Sequence, residues 1–182
     1  VIVVGAGPAG VRAAEALVNA GLRPLVIDEG RIDGGRIYQR QPANFTRSYE
    51  ALYGSEARAA SAVHRTFESL RERIDYRPET LVWNIRDRNL YCARDSHNQT
   101  LDWDALIVCS GATDRLLPVP GWQFAGTYSL GGSQLVLDLY EAPAGLAAAA
   151  LGLVLEVEEC PPVGLVLAAG EDRGAGGRHL RP

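Results

Sequence analysis

Residues 1–30 read VIVVGAGPAGVRAAEALVNAGLRPLVIDEG, and this stretch decides the fold. Residues 1–4 form a continuous apolar run of β-branched side chains, the pattern of a strand covered on both faces. Three glycines follow at G-x-G-x-x-G spacing: Gly5, Gly7 and Gly10. Residues 9–20 carry alanine, leucine, valine and glutamate at helical spacing, and Gly21 stands where a helix C-terminus favours it. PLVID, residues 24–28, predicts a second strand. Strand, helix and strand together have the size of a βαβ unit, which requires a parallel sheet.

The glycine spacing has a mechanical reading. Gly5 permits the tight turn out of the strand, and Gly7 leaves room for a pyrophosphate to approach bare backbone. Gly10 lets the helix pack closely on the sheet. Pro8 and Ala9 complete the cradle, and the helix aims its free N–H groups and positive dipole end at the phosphates. Asp28 follows Gly10 at the distance where a carboxylate grips ribose hydroxyls. Its charge also repels a 2′-phosphate, which argues against NADP in this site. Glu29 is the neighbouring candidate, and strand alternation allows only one of the two to face the sugar. The motif by itself leaves FAD and NAD both open.

Working outward, residues 30–47 predict a long loop rich in Gly, Arg, Gln and Asn. Arg36, Arg40 and Arg47 make it basic, which fits either a solvated loop or one that neutralises phosphate. A helix of mixed charge is expected over 55–73. LVWNI (81–85), NLYCA (89–93) and QTLDW (99–103) predict a small antiparallel meander. ALIVC (105–109) returns to the fully apolar type and is expected to rejoin the parallel sheet. The expected fold is therefore three-layer α/β, with a parallel sheet, helices on one side and a β-meander on the other.

The chain has 182 residues, of which 47% are hydrophobic, enough for one core. With a net charge of −4 and no basic block, nucleic acid is excluded as an expected partner. No apolar run reaches the length of a membrane span. Cys92, Cys109 and Cys160 are far apart, with neither metal-ligand nor disulfide-framework spacing, which points to a reducing compartment and a cytoplasmic protein. Val1 stands in mid-strand and the chain contains no methionine, which reads as a segment of a longer chain. Cys109 and Cys92 read as small core residues. His64, His97 and His179 read as surface histidines, and Trp83, Trp103 and Trp122 as core or loop packing.

Later segments narrow the choice of dinucleotide. GGRIYQRQP (34–42), DALIVCSGATDRLLPVPGW (104–122) and YSLGGSQ (128–134) resemble the FAD-binding part of the pyridine nucleotide–disulfide oxidoreductase family, a Rossmann-like FAD/NAD(P)-binding fold. Within it, the resemblance is to the flavoprotein subunits of hydrogen cyanide synthase, opine oxidase and related amine or amino-acid dehydrogenases. The resemblance implies FAD as cofactor, a small-molecule substrate and a partner electron-transfer subunit. It implies that Gly5, Gly7 and Gly10 cradle the pyrophosphate and that Asp28 or Glu29 holds the adenosine ribose. Gly35 and Arg36 would lie along the cofactor, the backbone of Val82 against adenine, and Ser110 and Gly111 in a turn close to the cofactor, with Arg115 in the same motif. Two departures stand out: Cys109-Ser110-Gly111 replaces Ala-Thr-Gly, and GGR replaces GGQ. The redox cysteine pair of the disulfide-reductase branch is missing, which rules out that chemistry.

After residue 134 the family carries a full nucleotide domain. Here APAGLAAAALGLVLEVEE (142–159) is a shortened echo of the opening motif, with Tyr140 and Ala142 in place of its first two glycines. The expected organisation is an FAD-binding domain at 1–134, a degenerate remnant of a second nucleotide unit at 135–162, and a possible last FAD motif with tail at 163–182. In that last motif Gly170 and Glu171 would face the ribityl chain or pyrophosphate. The sequence also admits an inactive remnant that binds a nucleotide without turnover, or an NAD-binding dehydrogenase domain. It offers no catalytic base.

Overall fold

The computed structural model describes residues 1–41 and 46–112, the isolated positions 118, 120, 123, 129 and 132, and the backbone of 167–169. The elements in chain order are β1 (Ile2–Val4), α1 (Pro8–Asn19), β2 (Leu25–Ile27), α2 (Tyr49–Tyr53), a 3-10 turn (Gly54–Glu56) and α3 (Ala57–Leu70). There follow β3 (Asp75–Arg77), β4 (Leu81–Arg86), β5 (Asn89–Arg94), β6 (His97–Asp102), β7 (Ala105–Val108) and β8 (Leu167–Ala169).

Two sheets form. The larger runs in the order β3-β2-β1-β7-β8, and the smaller is the meander β4-β5-β6. β1 pairs in parallel with β2 on one side and β7 on the other, and β2 pairs in parallel with β3. The registers explain the layering. Val3 lies beside Val26 and Ile107, and all three enter one buried cluster with Val11, Ala14 and Val18 of α1 and Ala60, Val63 and Phe67 of α3. Ile2, Ile27 and Leu106, on the opposite face, bury against Leu90 of β5 and Trp103, with Val4, Leu25 and Val108 beside them. A period of two along three continuous apolar strands thus feeds two cores, helices on one side and meander on the other. This is the three-layer α/β architecture expected from the sequence.

Several boundaries differ from the expectation. The helix expected over 55–73 is shorter at both ends: a 3-10 turn takes Gly54–Glu56, α3 covers only Ala57–Leu70, and the short α2 ahead of it was not expected. The last meander strand starts at His97 rather than Gln99, because Asp95 and Ser96 both take positive φ and make a two-residue hairpin turn. β3, the strand DYR, was not expected; three residues carry no period. His64 is the plainest correction, being 2% exposed rather than on the surface. Trp83 is corrected the other way, 53% exposed beside Tyr91, whereas Trp103 is a core residue. Trp122 and His179 lie outside the described residues.

Candidate functional site

The strand order reverses at β1. The chain lays β2 and β3 on one side of it and returns to place β7 on the other. At such a switch point the turns leaving two adjacent parallel strands diverge, and a crevice opens beyond their carboxyl ends. Here those turns are Gly5–Gly7 after β1 and Cys109–Gly111 after β7.

The glycines fall into two kinds by what a side chain would strike. Gly5 has φ +103, and a Cβ there would sit 2.2 Å from the Cys109 carbonyl oxygen; a Cβ at Gly10 would sit 1.8 Å from the Gly5 carbonyl oxygen. Both close approaches are to backbone, so the fold itself demands these glycines. Gly7 is different. Its φ is −73 and ψ −175, open to any residue, and its Cβ would meet nothing nearer than Gly35 Cα at 3.6 Å. Packing alone leaves room for a methyl group there.

Gly7 is the N-cap of α1 and supplies no side-chain cap; Pro8, which has no N–H, is at the first turn. The first N–H to find a backbone partner within the helix is that of Val11, on Gly7 O at 2.9 Å. The groups ahead of it, at Ala9 and Gly10, point out of the helix end as anion donors.

Asp28 sits beside this mouth, just past the end of β2. Its carboxylate accepts from the Ala6 N–H and from the Gly30 N–H at 2.7 Å, tying the two turns together. Each oxygen retains acceptor capacity for a further donor. Glu29 is exposed. The chain before β4 closes this wall, with the Thr80 N–H on Asp28 O at 2.9 Å and the Glu79 N–H on Gly30 O at 3.0 Å. Val82 follows, half-buried, at the start of a β-bulge.

Gly34 and Gly35 cross the mouth from the other side. The Gly34 N–H donates to Ala6 O at 2.9 Å, and a Cβ at Gly35 would lie 2.9 Å from Gly7 Cα. Arg36 is exposed and has no ion-pair partner among the described residues. Arg40 turns away from the mouth. Its guanidinium forks onto Asp33 at 2.9 and 3.1 Å, and reaches Glu68 at 3.0 Å and His64 O at 3.1 Å. That pairing excludes Arg40 from the role of a phosphate neutraliser.

Ser110 and Gly111 are exposed on the β7 turn, held near Gly5 because the Cys109 N–H donates to Val4 O at 2.7 Å. Burial raises the Cys109 thiol, and burial, partly offset by Arg77, raises that of Cys92. Neither thiol is poised as a nucleophile.

The structure therefore gathers Gly5, Gly7, Pro8, Ala9, Gly10, Asp28, Gly35, Ser110 and Gly111 around one mouth, with Val82 behind its wall. Arg115, Gly170 and Glu171 lie outside the described residues. β8, which precedes Gly170, runs antiparallel to β7, with Ala169 opposite Ala105 at the end remote from the mouth. A cleft of about 470 Å³ lined by Ile2, Arg23, Leu101 and Asp102 sits at the same remote end, away from the glycine turns and the helix N-terminus. Among the described residues no helix is long and apolar enough to cross a membrane.

Of the residues that fasten the loop, sequence reading passed over Asp33, Tyr38 and Glu68, and it took Arg40 for a solvated or phosphate-facing loop residue and His64 for a surface one. The paired glycines at 34–35 were the one local sign of a close approach.

Residues 1–139 match the family model described as pyridine nucleotide-disulphide oxidoreductase. The chain is similar to an opine oxidase subunit of Rhizobium meliloti, 31% identical over 146 residues, which cover 75% of this chain and 27% of that protein. It is also similar to the HcnB subunit of hydrogen cyanide synthase from Pseudomonas protegens, 30% identical, covering 74% of this chain and 29% of the relative. The chain thus spans less than a third of the length of these curated relatives. Among solved structures, L-proline dehydrogenase from P. horikoshii superposes with a TM-score of 0.60 at 18% identity, over 77% of this chain and 28% of that one, a likeness of fold. On the extent of the family match, and on relatives of this identity, the chain belongs to the pyridine nucleotide-disulphide oxidoreductase family.

Proposed function

We propose that this chain is the FAD-binding module of a flavin-dependent dehydrogenase or oxidase subunit. The substrate would be a small amine or amino acid, and electrons would pass to a partner subunit. One observation carries the reading: Gly7 is a glycine that packing does not require, at the uncapped start of a helix, with a carboxylate beside it. A bare backbone in that place is explained by a ligand that lies against it.

In this reading the N–H groups of Ala9 and Gly10 hold the pyrophosphate, with Gly5 and Gly10 fixing the turn and Gly35 closing over it. Asp28 takes the adenosine ribose on the lone pairs that its two backbone donors leave open. The backbone around Val82 faces adenine, and Ser110 and Gly111 flank the flavin end. Arg36, exposed beside Gly35, is free to face phosphate. Bound FAD supplies hydride-accepting chemistry, and the protein supplies placement and electrostatics. The substrate class and the partner rest on the likeness to proteins named as subunits of opine oxidase and of hydrogen cyanide synthase. We assign residues 1–134 to this domain, 135–162 to a degenerate second nucleotide unit and 163–182 to a last FAD motif with a tail. The free thiols of Cys92 and Cys109 support a cytoplasmic setting.

The test is a titration of the purified chain with FAD, NADH and NADPH, followed by flavin absorbance and by fluorescence. Uptake of FAD alone is the expected result. A chain that leaves FAD free and binds NADH would establish the NAD-domain reading instead, and one that binds neither would overturn every nucleotide-binding reading of the mouth.

A further inference from the structure

The loop that crosses the mouth is held from behind by α3. Asp33, whose side chain is wholly buried, receives the two-pronged Arg40 guanidinium. Arg40 in turn reaches Glu68 and the carbonyl of His64, one helical turn apart on α3. His64 grips the same loop between these two anchors. A carbonyl oxygen can only accept, so the 2.7 Å contact with Tyr38 O assigns the proton to Nε2. In the neutral ring, which burial favours, Nδ1 accepts from the Tyr49 hydroxyl at 2.8 Å, so that both nitrogens are engaged. Tyr49 and Tyr53 wall the imidazole with edge contacts at 5.6 and 6.1 Å. Gly34 is pressed against the ring, where a Cβ would stand 2.9 Å from Nε2.

From these contacts we infer that His64 and Arg40 are positioning residues, which set from α3 the pose of Gly34–Gly35 over the mouth and so govern how tightly a dinucleotide is held. Neither touches the mouth. Both act through the main chain between Asp33 and Arg40, whose Gly34 N–H is bonded to Ala6 O and whose Gly35 lies against Gly7. A loop already ordered has less freedom to lose when a ligand arrives, and that smaller loss appears as affinity. The inference rests on the FAD reading for the identity of the ligand, but the pose of the loop does not depend on it.

The experiment compares the full chain with four variants: His64→Leu, His64→Gln, Arg40→Lys and, as a control, Val18→Ala. Leucine fills the volume without a donor, whereas the glutamine amide nitrogen can replace Nε2. Lysine keeps the charge of Arg40 and loses its fork. Val18 is a core residue at the far end of α1, so its truncation reports lost stability alone. Two readouts are taken, hydrogen exchange at the Gly34 and Tyr38 amides without ligand, and the dissociation constant for FAD. His64→Leu and Arg40→Lys are expected to speed both amides. They are also expected to weaken FAD by at least about fivefold, the effect of re-ordering a freed loop on binding. His64→Gln restores both readouts, and Val18→Ala changes neither even where it lowers the melting temperature. If exchange is unchanged in His64→Leu and Arg40→Lys, the inference is overturned. Faster exchange with unaltered FAD affinity overturns it too, as does an equal loss of affinity in Val18→Ala. Should His64→Leu not fold, Arg40→Lys decides alone. If the wild-type chain takes up no FAD, the functional reading fails while the exchange comparison still decides whether α3 sets the loop.

Discussion

Gly7 and Gly10 stand three residues apart in one motif, and replacing each by alanine separates what the fold needs from what the ligand needs. At Gly10 the new methyl carbon would lie 1.8 Å from the Gly5 carbonyl oxygen and 2.8 Å from its carbon. Contact distance is about 3 Å or more, so helix and turn must part by roughly 1.2 Å in a close-packed layer. Overpacking of this severity costs about 3 kcal/mol. Alanine returns about 1 kcal/mol as the better helix former. The net loss of about 2 kcal/mol is a fall in melting temperature of about 4–8 °C for a chain of this size. At Gly7 the methyl would meet only Gly35 Cα at 3.6 Å, an ordinary contact, in a backbone conformation alanine adopts freely. A stiffer unfolded chain and a slightly poorer N-cap roughly cancel, leaving stability within about 0.5 kcal/mol of wild type. The pyrophosphate, however, would meet that methyl, and its affinity is expected to fall tenfold or more, about 1.4 kcal/mol. Thermal unfolding by circular dichroism reads the first effect and a fluorescence titration with FAD the second. Gly7→Ala melting as low as Gly10→Ala would make Gly7 a structural residue. Gly7→Ala binding FAD like wild type would remove the phosphates from this mouth.

Asp28→Asn keeps one acceptor and turns an amide N–H₂ against the other backbone donor, so urea unfolding should show a loss of about 2 kcal/mol; an unchanged midpoint would refute the carboxylate's role in joining the two turns. The Tyr76 hydroxyl is buried with no hydrogen-bond partner among the described residues, and burial, with Asp28 and Asp33 nearby, raises its pKa. Removing a group whose desolvation is not offset should leave Tyr76→Phe as stable as wild type or up to about 1 kcal/mol more so; a loss of that size would mean the hydroxyl has a partner. Burial is also the main cause that lowers the His64 pKa; Arg40 acts in the same direction, while the Tyr38 carbonyl, Asp33 and Glu68 oppose it. Below about pH 6.5 the unfolded histidine takes up a proton that the folded one refuses, so this contribution to stability is present above that pH and fades as pH falls through the lowered folded value. The gap in urea midpoint between wild type and His64→Leu should therefore narrow from pH 7 to pH 5, and a constant gap would contradict the assignment of a neutral ring.

The parallel layer was legible because its strands announce themselves. VIVV, PLVID and ALIVC are unbroken apolar runs, and each needs a cover on both faces, which the registers supply. The meander was legible from alternation and turn residues, and its largest boundary shift, at the start of β6, came from Asp95 and Ser96, two non-glycine residues in the left-handed region. β3 was hidden for the opposite reason. DYR is too short and too polar to carry a period, and it is a strand only because Leu25–Ile27 offers it a free parallel edge. The break at Gly54 is likewise tertiary in origin, since Tyr38 reaches Glu56 and Tyr53 reaches the Gln39 carbonyl, drawing the helix start toward the loop.

The mouth and its fastening differ in legibility for a physical reason. The mouth consists of main-chain groups, and main chain becomes available only where side chains are absent, so the spacing of Gly5, Gly7 and Gly10 in sequence is already its geometry. The fastening consists of side chains that meet across 24 and 26 residues, Arg40 on the His64 carbonyl and His64 on the Tyr38 carbonyl. Nothing local distinguishes such an arginine from a solvated one, and charge alone left Arg40 either solvated or facing phosphate. A buried acid decided otherwise. Asp33, with its side chain fully enclosed, would be left as an uncompensated charge if Arg40 turned outward, a penalty of about 3–5 kcal/mol. An exposed contact with phosphate, screened by solvent, returns less than that. The loop therefore commits the forked cation of Arg40 inward, to holding Gly34 and Gly35 in place, and leaves Arg36 as the arginine beside the mouth.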